Sequence, residues 1–315
     1  MTRNPIAYIV FNRPCQTKQT FEVVRGQRPE KLFIIADGPR FGHPTDTERC
    51  AEVRAIVEQV DWPCDVYQNF SDDNLGCKRR VNSGLDWVFS QVERAIVLED
   101  DCVPHPDFFS FCDTLLDRYA DDDRVWVITG DNFQNGQRRG NGSYYFSKYN
   151  HVWGWATWRR AWQRNDGSLS FWPAWQSSAD WRAKMPDAVE RRYWEATFNR
   201  AHAELIDTWD YAWSASVWYH GGLIATPNVN LVSNIGFGAD GTHTTASTSN
   251  LAEVPTHPLG ELTHLLQVVQ DVAADKYVFN HHFGGRNLRF PRSLLGLPRR
   301  VGGTLYRQLK RSFTG

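Results

Sequence analysis

Residues Ala95–Val103 read A-I-V-L-E-D-D-C-V. Four apolar residues, Ala95, Ile96, Val97 and Leu98, run directly into three carboxylates, Glu99, Asp100 and Asp101. A short, uninterrupted apolar run is the pattern of a strand buried on both faces of a parallel sheet. Three adjacent acids are too costly to bury unpaired, so they mark the point where that strand emerges. Ligands of open α/β sheets bind at the carboxyl ends of strands. Acids placed there can hold a divalent cation through oxygen, and the cation can hold a diphosphate. The stretch therefore predicts an α/β enzyme that uses a nucleotide-diphosphate donor. A solvated turn is the plain alternative, and the second triplet, Asp121-Asp122-Asp123, which lies between a helix and a strand, reads that way.

Outward from this strand, the first half alternates strand-like and helix-like segments. Strands are expected at Ile6–Phe11, Leu32–Ile35, Asp65–Tyr67 and Val125–Thr129, with helices at Thr17–Arg25, Asp46–Val60, Lys78–Val92 and Pro106–Tyr119. The helix assignments rest on apolar residues at helical spacing, such as Val81, Leu85, Val88 and Phe89. Such alternation implies a mostly parallel sheet with helices on both faces. From Tyr144 the pattern breaks. Tyr144–Ser147 and Leu223–Thr226 look like strands, and Gly154–Arg164 and Ala188–Asp210 look helical. The expected organisation is a donor-binding half over residues 1–135, an acceptor-binding half of the same domain over 136–250, and a basic helical extension over 251–315.

At 315 residues the chain can bury a large core. A formal net charge of −1 argues against general nucleic-acid binding. The six cysteines are scattered without a C-x-x-C pair, as expected for reduced thiols in a cytoplasmic protein. No stretch reads as a membrane span or a signal peptide. Of the 14 tryptophans, eleven lie between Trp153 and Trp218, so the two halves have different work to do.

Several side chains are candidates for a site. Asp37, after the second strand, can accept a hydrogen bond from a nucleobase, although Asp-Gly-Pro is also ordinary turn chemistry. Arg13, after the first, can meet a phosphate or pack beside a base, or simply precede a turn proline. Asp210 lies among aromatics in Trp209-Asp210-Tyr211-Ala212-Trp213, surroundings that suit a carboxylate to general-base work, with an exposed helix acid as the alternative. The glycine-rich loop Gly236–Thr244 reads as a mobile segment over a ligand, and its His243 as a contact to metal or diphosphate or as a solvated side chain. Trp153, Trp155, Trp158 and Trp209 suggest a sugar-stacking wall, unless they fill core.

Taken together, these residues resemble a family. The run V-E-R-A-I-V-L-E-D-D-C-V-P-H-P-D-F-F-S-F is similar to the metal-binding segment of inverting GT-A glycosyltransferases, N-acetylglucosaminyltransferase I in particular. A bacterial group of nucleotide-diphospho-sugar transferases is closer still over residues 5 to 245. Its marks here are N-R-P (Asn12–Pro14), A-D-G-P (Ala36–Pro39), L-E-D-D-C-V-P (Leu98–Pro104) and G-D-N-F-Q (Gly130–Gln134). W-G-W-A-T-W (Trp153–Trp158), P-N-V-N-L-V-S-N-I-G-F-G (Pro227–Gly238) and T-H-T (Thr242–Thr244) follow.

The resemblance implies a Rossmann-like GT-A fold and an inverting glycosyltransferase dependent on Mn²⁺ or Mg²⁺. By position, Asp101 with His243 would hold the metal. Phe11, Asn12, Arg13, Asp37, Arg80, Glu99 and Asp100 would contact the donor, and Asp210 would be the catalytic base. Two departures stand out: Tyr211 replaces the second acid of the family's W-D-D-W segment, and the donor position at Arg80 is not histidine.

Two alternatives have distinct signatures. A sugar nucleotidyltransferase carries a basic, glycine-rich loop after the first strand, where this chain has Phe11-Asn12-Arg13-Pro14. A carbohydrate-binding module would use the tryptophans but has no need of acids at a strand end. The tail beyond Asp275 contains no acid and alternates basic with apolar residues. It suits either an inner-leaflet membrane surface presenting a lipid-linked glycan or packing on the protein itself.

Overall fold

The computed structural model describes residues 2–237 and 254–290. In chain order the elements of the first half are β1 (Ile6–Val10), α1 (Pro14–Gln27), β2 (Lys31–Ala36), α2 (Asp46–Val57), β3 (Asp65–Phe70), α3 (Cys77–Gln91), β4 (Arg94–Glu99), β5 (Cys102–Pro104), α4 (Pro106–Arg118) and β6 (Val125–Thr129). Then come β7 (Tyr144–Ser147), β8 (Trp155–Trp158), α5 (Arg159–Trp162), α6 (Trp172–Gln176), α7 (Ala179–Lys184), α8 (Ala188–His202), α9 (Asp210–Tyr219), β9 (Leu223–Pro227), β10 (Val232–Asn234), α10 (Val272–His281) and α11 (Gly285–Leu288).

Eight strands form one sheet in the order β3-β2-β1-β4-β8-β6-β9-β7. β1 pairs parallel with β2 and β4, β2 with β3, and β6 with β9, whereas β8 runs antiparallel to both β4 and β6, and β7 to β9. Six strands therefore share one direction and end on one edge, the arrangement of a Rossmann-like α/β fold with helices on both faces. The sheet runs through the boundary expected near residue 135: β6 belongs to the first half, and β7, β8 and β9 to the second. A small antiparallel pair, β5 with β10, ties the segment after Asp101 to Asn234.

The strands alternate between two apolar cores, as a period of two requires. In β1, Ala7 and Ile9 face one core, while Ile6, Tyr8 and Val10 face the other. The Trp-rich half fills the first core. Trp155 stacks on Trp209 with centroids 5.4 Å apart, and Trp162 meets Trp213 at 5.2 Å.

Two expected helices are corrected. The segment Gly154–Arg164 is a strand followed by a single helical turn. The spacing of Trp155, Trp158 and Trp162 imitates a helix, but Trp155 faces one core and Ala156 and Trp158 the other. The segment Ala188–Asp210 is also broken. α8 ends at His202, Glu204 takes a left-handed φ of 54°, and a new helix begins at Asp210. All six cysteines are free thiols. No helix among the described residues is long and apolar enough to cross a membrane.

Candidate active site

A cavity of about 1550 Å³ opens along the edge where the six codirectional strands end. Phe11 and Arg13 follow β1, Asp37 follows β2, Glu99 ends β4 with Asp100 and Asp101 directly after it, and Asp131 follows β6. The antiparallel β8 brings Trp153 to the same edge at its start, and α9 contributes Asp210. The cavity thus gathers residues from both halves of the chain.

At its centre Arg13 bridges two of the acids. Its Nη1 lies 2.7 Å from Asp101 Oδ2 and its Nη2 2.5 Å from Asp100 Oδ1, with all three side chains largely buried. Asp100 also accepts from the Phe11 N–H at 3.1 Å, and its backbone oxygen from Thr20 Oγ1 at 3.0 Å. Burial opposes the charge on Arg13, but Asp100, Asp101 and Glu99 outweigh it and raise its proton affinity. Glu99 stands apart from the pair. Burial, reinforced by Asp101, pushes its carboxyl up to about 8, and Asp210 is among the negative neighbours that act in the same direction. Glu99 is therefore largely protonated at neutral pH, while Asp100 and Asp101 share the guanidinium.

The oxygen-only donor set suits Mg²⁺ or Mn²⁺. It does not form a cage, since among the described residues no group of three His, Cys, Asp or Glu side chains is placed to hold a metal ion. Both acids that would share a cation are already engaged by Arg13. What fits is the open mode, in which one carboxylate binds and phosphate and water supply the remaining ligands. Gly236 covers Asp101: a Cβ there would overlap Asp101 Oδ2 and come 2.8 Å from Arg13 Nη1. His243 lies outside the described residues, as does the tail from residue 291. Arg289, in the basic stretch, pairs with Asp187 at 2.6 Å.

Asp37 is placed differently from expectation. Its Oδ1 accepts from the Gly38 and Leu75 N–H groups, both at 2.9 Å, and its Oδ2 from Asn74 Nδ2 at 3.0 Å and the Gly76 N–H at 3.2 Å. Four donors saturate a carboxylate, so Asp37 organises the 74–76 loop rather than presenting an unused acceptor. Burial raises its proton affinity, and the backbone donors offset part of that. Beyond the loop, Gly76 precedes α3 with φ +79°, and Asp207 caps the helix, accepting from the Cys77 and Lys78 N–H groups at 3.1 and 3.0 Å. Arg80 lines the cavity on the same side, held by the backbone and side-chain oxygens of Asn69. Asn12 turns away from the cavity and donates to Asp46 at 2.8 Å.

Asp210 is the first residue of α9. Thr208 Oγ1 donates to its Oδ1. Of the four tryptophans expected in a stacking wall, Trp153 and Trp209 line the cavity. Trp155 is fully buried, and Trp158 lies in the opposite core with its Nε1 on Leu116 O at 3.1 Å. Those two are core residues. The sequence reading missed Asp207, Asn74 and Asp131. Asp207 accepts from the Cys77 and Lys78 N–H groups and Asn74 donates to Asp37 and Gly38, all distant in sequence, and Asp131 lay within the G-D-N-F-Q run without a role.

No protein-family model matches the chain, and no curated protein does. Among solved structures, a mannosyltransferase from Pyrobaculum calidifontis, in complex with GDP-Man and Mn²⁺, is similar at 13% identity and a TM-score of 0.32, over 51% of this chain and 46% of its own. The 4-diphosphocytidyl-2C-methyl-D-erythritol synthase of Anaerococcus prevotii is similar at 8% identity and a TM-score of 0.37, over 71% and 88%. HddC from Yersinia pseudotuberculosis gives 7% identity and a TM-score of 0.31, over 50% and 77%. The chain thus spans less than half of the mannosyltransferase.

Proposed function

We propose that the protein is a glycosyltransferase that moves a sugar from a nucleotide-diphosphate donor to a hydroxyl of a glycan acceptor, by a single displacement with inversion. The observation that carries this reading is the common cavity. It holds a buried Arg13–Asp100–Asp101 cluster together with Asp210, the first residue of α9.

In this scheme Arg80 and the loop fixed by Asp37 border the nucleotide, and Arg13 offers charge-assisted hydrogen bonds to the diphosphate. Asp210 accepts the proton of the attacking acceptor hydroxyl. A bond forms from that oxygen to the anomeric carbon while the bond from the anomeric carbon to the diphosphate oxygen breaks, through an oxocarbenium-like state. Glu99, protonated, adds no further negative charge where the diphosphate departs. A divalent cation, bound at Asp101, would supply neutralising charge to the leaving group.

The test is Asp210→Asn with calorimetry and turnover measured side by side, with Mn²⁺ and with EDTA. Donor affinity should stay near that of the unaltered protein while turnover falls by about 10²–10⁴-fold, the usual weight of a general base. Chelation should weaken donor binding in both proteins. Full turnover in the variant places the base elsewhere, and a product with retained anomeric configuration by NMR rejects the single displacement.

A further inference from the structure

The wall of the cavity built by α8 carries charge that the proposed chemistry leaves unused. Val189, Arg192, Tyr193, Ala196, Thr197 and Arg200 line the cavity, and their spacing by three and four places them on one stripe of the helix. No acid lies on that stripe. The acids of α8 are on its other sides: Glu190 is buried against Lys148 at 2.6 Å, and Glu195 accepts from Trp181 Nε1 at 2.9 Å.

Arg192 and Arg200 also differ from the other arginines of the cavity. Arg13 is held by Asp100 and Asp101, Arg40 by Asp46, Arg80 by Asn69 and Arg289 by Asp187. Neither Arg192 nor Arg200 makes an ion pair among the described residues; both are exposed, and Arg192 donates to Ala188 O of its own helix at 3.2 Å. The helix dipole favours a cation in the last turn, where Arg200 lies, but does not account for Arg192 in the middle. Arg200 stands near the reacting end. α8 meets α9 through Trp194 and Tyr211, edge-on at 6.4 Å, and Arg200 is close enough to Tyr211 to oppose the rise that burial and Asp210 impose on its hydroxyl. At 1.5 Å of rise per residue Arg192 lies about 12 Å further along the helix axis, so the two cations are spread along the wall.

We propose that the α8 wall recognises an anionic group, phosphate or carboxylate, carried by the acceptor, with Arg200 and Arg192 as its partners. The inference rests on the glycosyl-transfer reading and names the charge of the acceptor, which that reading leaves open. The donor's diphosphate is provided for at Arg13, so the cations of α8, on another element, are available to a second negative charge. A wall with one sign of charge raises the local concentration of such a ligand. The planar guanidinium matches both phosphate and carboxylate with two parallel hydrogen bonds.

The full chain, with a nucleoside diphosphate and Mn²⁺ present to occupy the Arg13 end, is titrated with methyl glucoside, methyl glucuronide and methyl glucoside 6-phosphate, followed by ligand-observed NMR. At least one charged glycoside should bind more tightly than the neutral one, and added salt should narrow the gap. Whichever charged glycoside binds tighter identifies carboxylate or phosphate as the group. Arg192→Gln and Arg200→Gln should each weaken that glycoside about 3- to 10-fold, and the double variant should bring it to the level of methyl glucoside. Arg3→Gln, a surface control, should leave it unchanged, and nucleoside diphosphate affinity should hold in all variants. The proposal is overturned if neither charged glycoside binds more tightly than the neutral one, or if the double variant binds them as the parent does. It is also overturned if nucleoside diphosphate affinity falls in the double variant, which would put the two arginines on the donor. Each of these failures leaves the Asp210 experiment to judge the transferase reading by itself.

Discussion

Arg13 holds two buried carboxylates at once, and its loss would leave both uncompensated. Breaking a buried ion pair by removing one partner costs about 3–5 kcal/mol. Arg13→Ala should therefore lower stability in urea by about that amount, with donor affinity falling as well, whereas a surface arginine such as Arg3 should change neither. Glu99 gives a pH signature. Its carboxyl ionises near 8 in the folded protein against an ordinary 4.5. Between those values the folded state keeps a proton that the unfolded chain has released, so stability falls as pH rises through that window. Glu99→Gln should flatten the dependence of melting temperature on pH from about 5 to 8 and surpass the parent protein at the upper end; a parallel pair of curves refutes the assignment. At this scale the acid triplet and Arg13 were legible, because a charge run halting an apolar run is a local signal. The occupation of Asp37 by Leu75 and Gly76 was not, since it depends on which distant segments meet.

Among the elements, α3 is the one whose start bears most directly on the site. Gly76 cannot cap it with a side chain, and Asp207, from the turn before α9, accepts the first N–H groups instead. Asp207→Ala should cost about 0.5–2 kcal/mol, the usual worth of an N-cap, and should weaken donor binding through the 74–76 loop. Thermal melting and calorimetry read the two effects separately. Helices α3 and α4 and strands β1, β2, β4 and β6 could be read from their apolar periodicity to within a few residues. β8 could not. Tryptophans at positions 155, 158 and 162 fit a helical stripe, and only the pairing of Val97 with Trp155 on one side and Thr129 with Trp155 on the other decides for a strand.

In the whole molecule, the site exists because one sheet joins both halves of the chain. β1, β2, β4 and β6 deliver their carboxyl ends to one edge, and the reversed β8 feeds Trp153 back to it. The mostly parallel sheet was legible from the alternation of the first 130 residues, and β7 and β9 were read as the strands Tyr144–Ser147 and Leu223–Thr226, but β8, which joins them to it, was not. The central place of β8 also bears on how the chain matures. On emerging from the ribosome, β4 finds β1 already made, yet its other flank stays bare until residues 155–158 arrive more than fifty positions later. An apolar ribbon with an open flank is a template for sticking to its neighbours. A version terminated at residue 150 should accordingly scatter light and pellet, while the full-length protein stays dispersed, and nascent chains paused within that interval are where chaperone demand should be greatest.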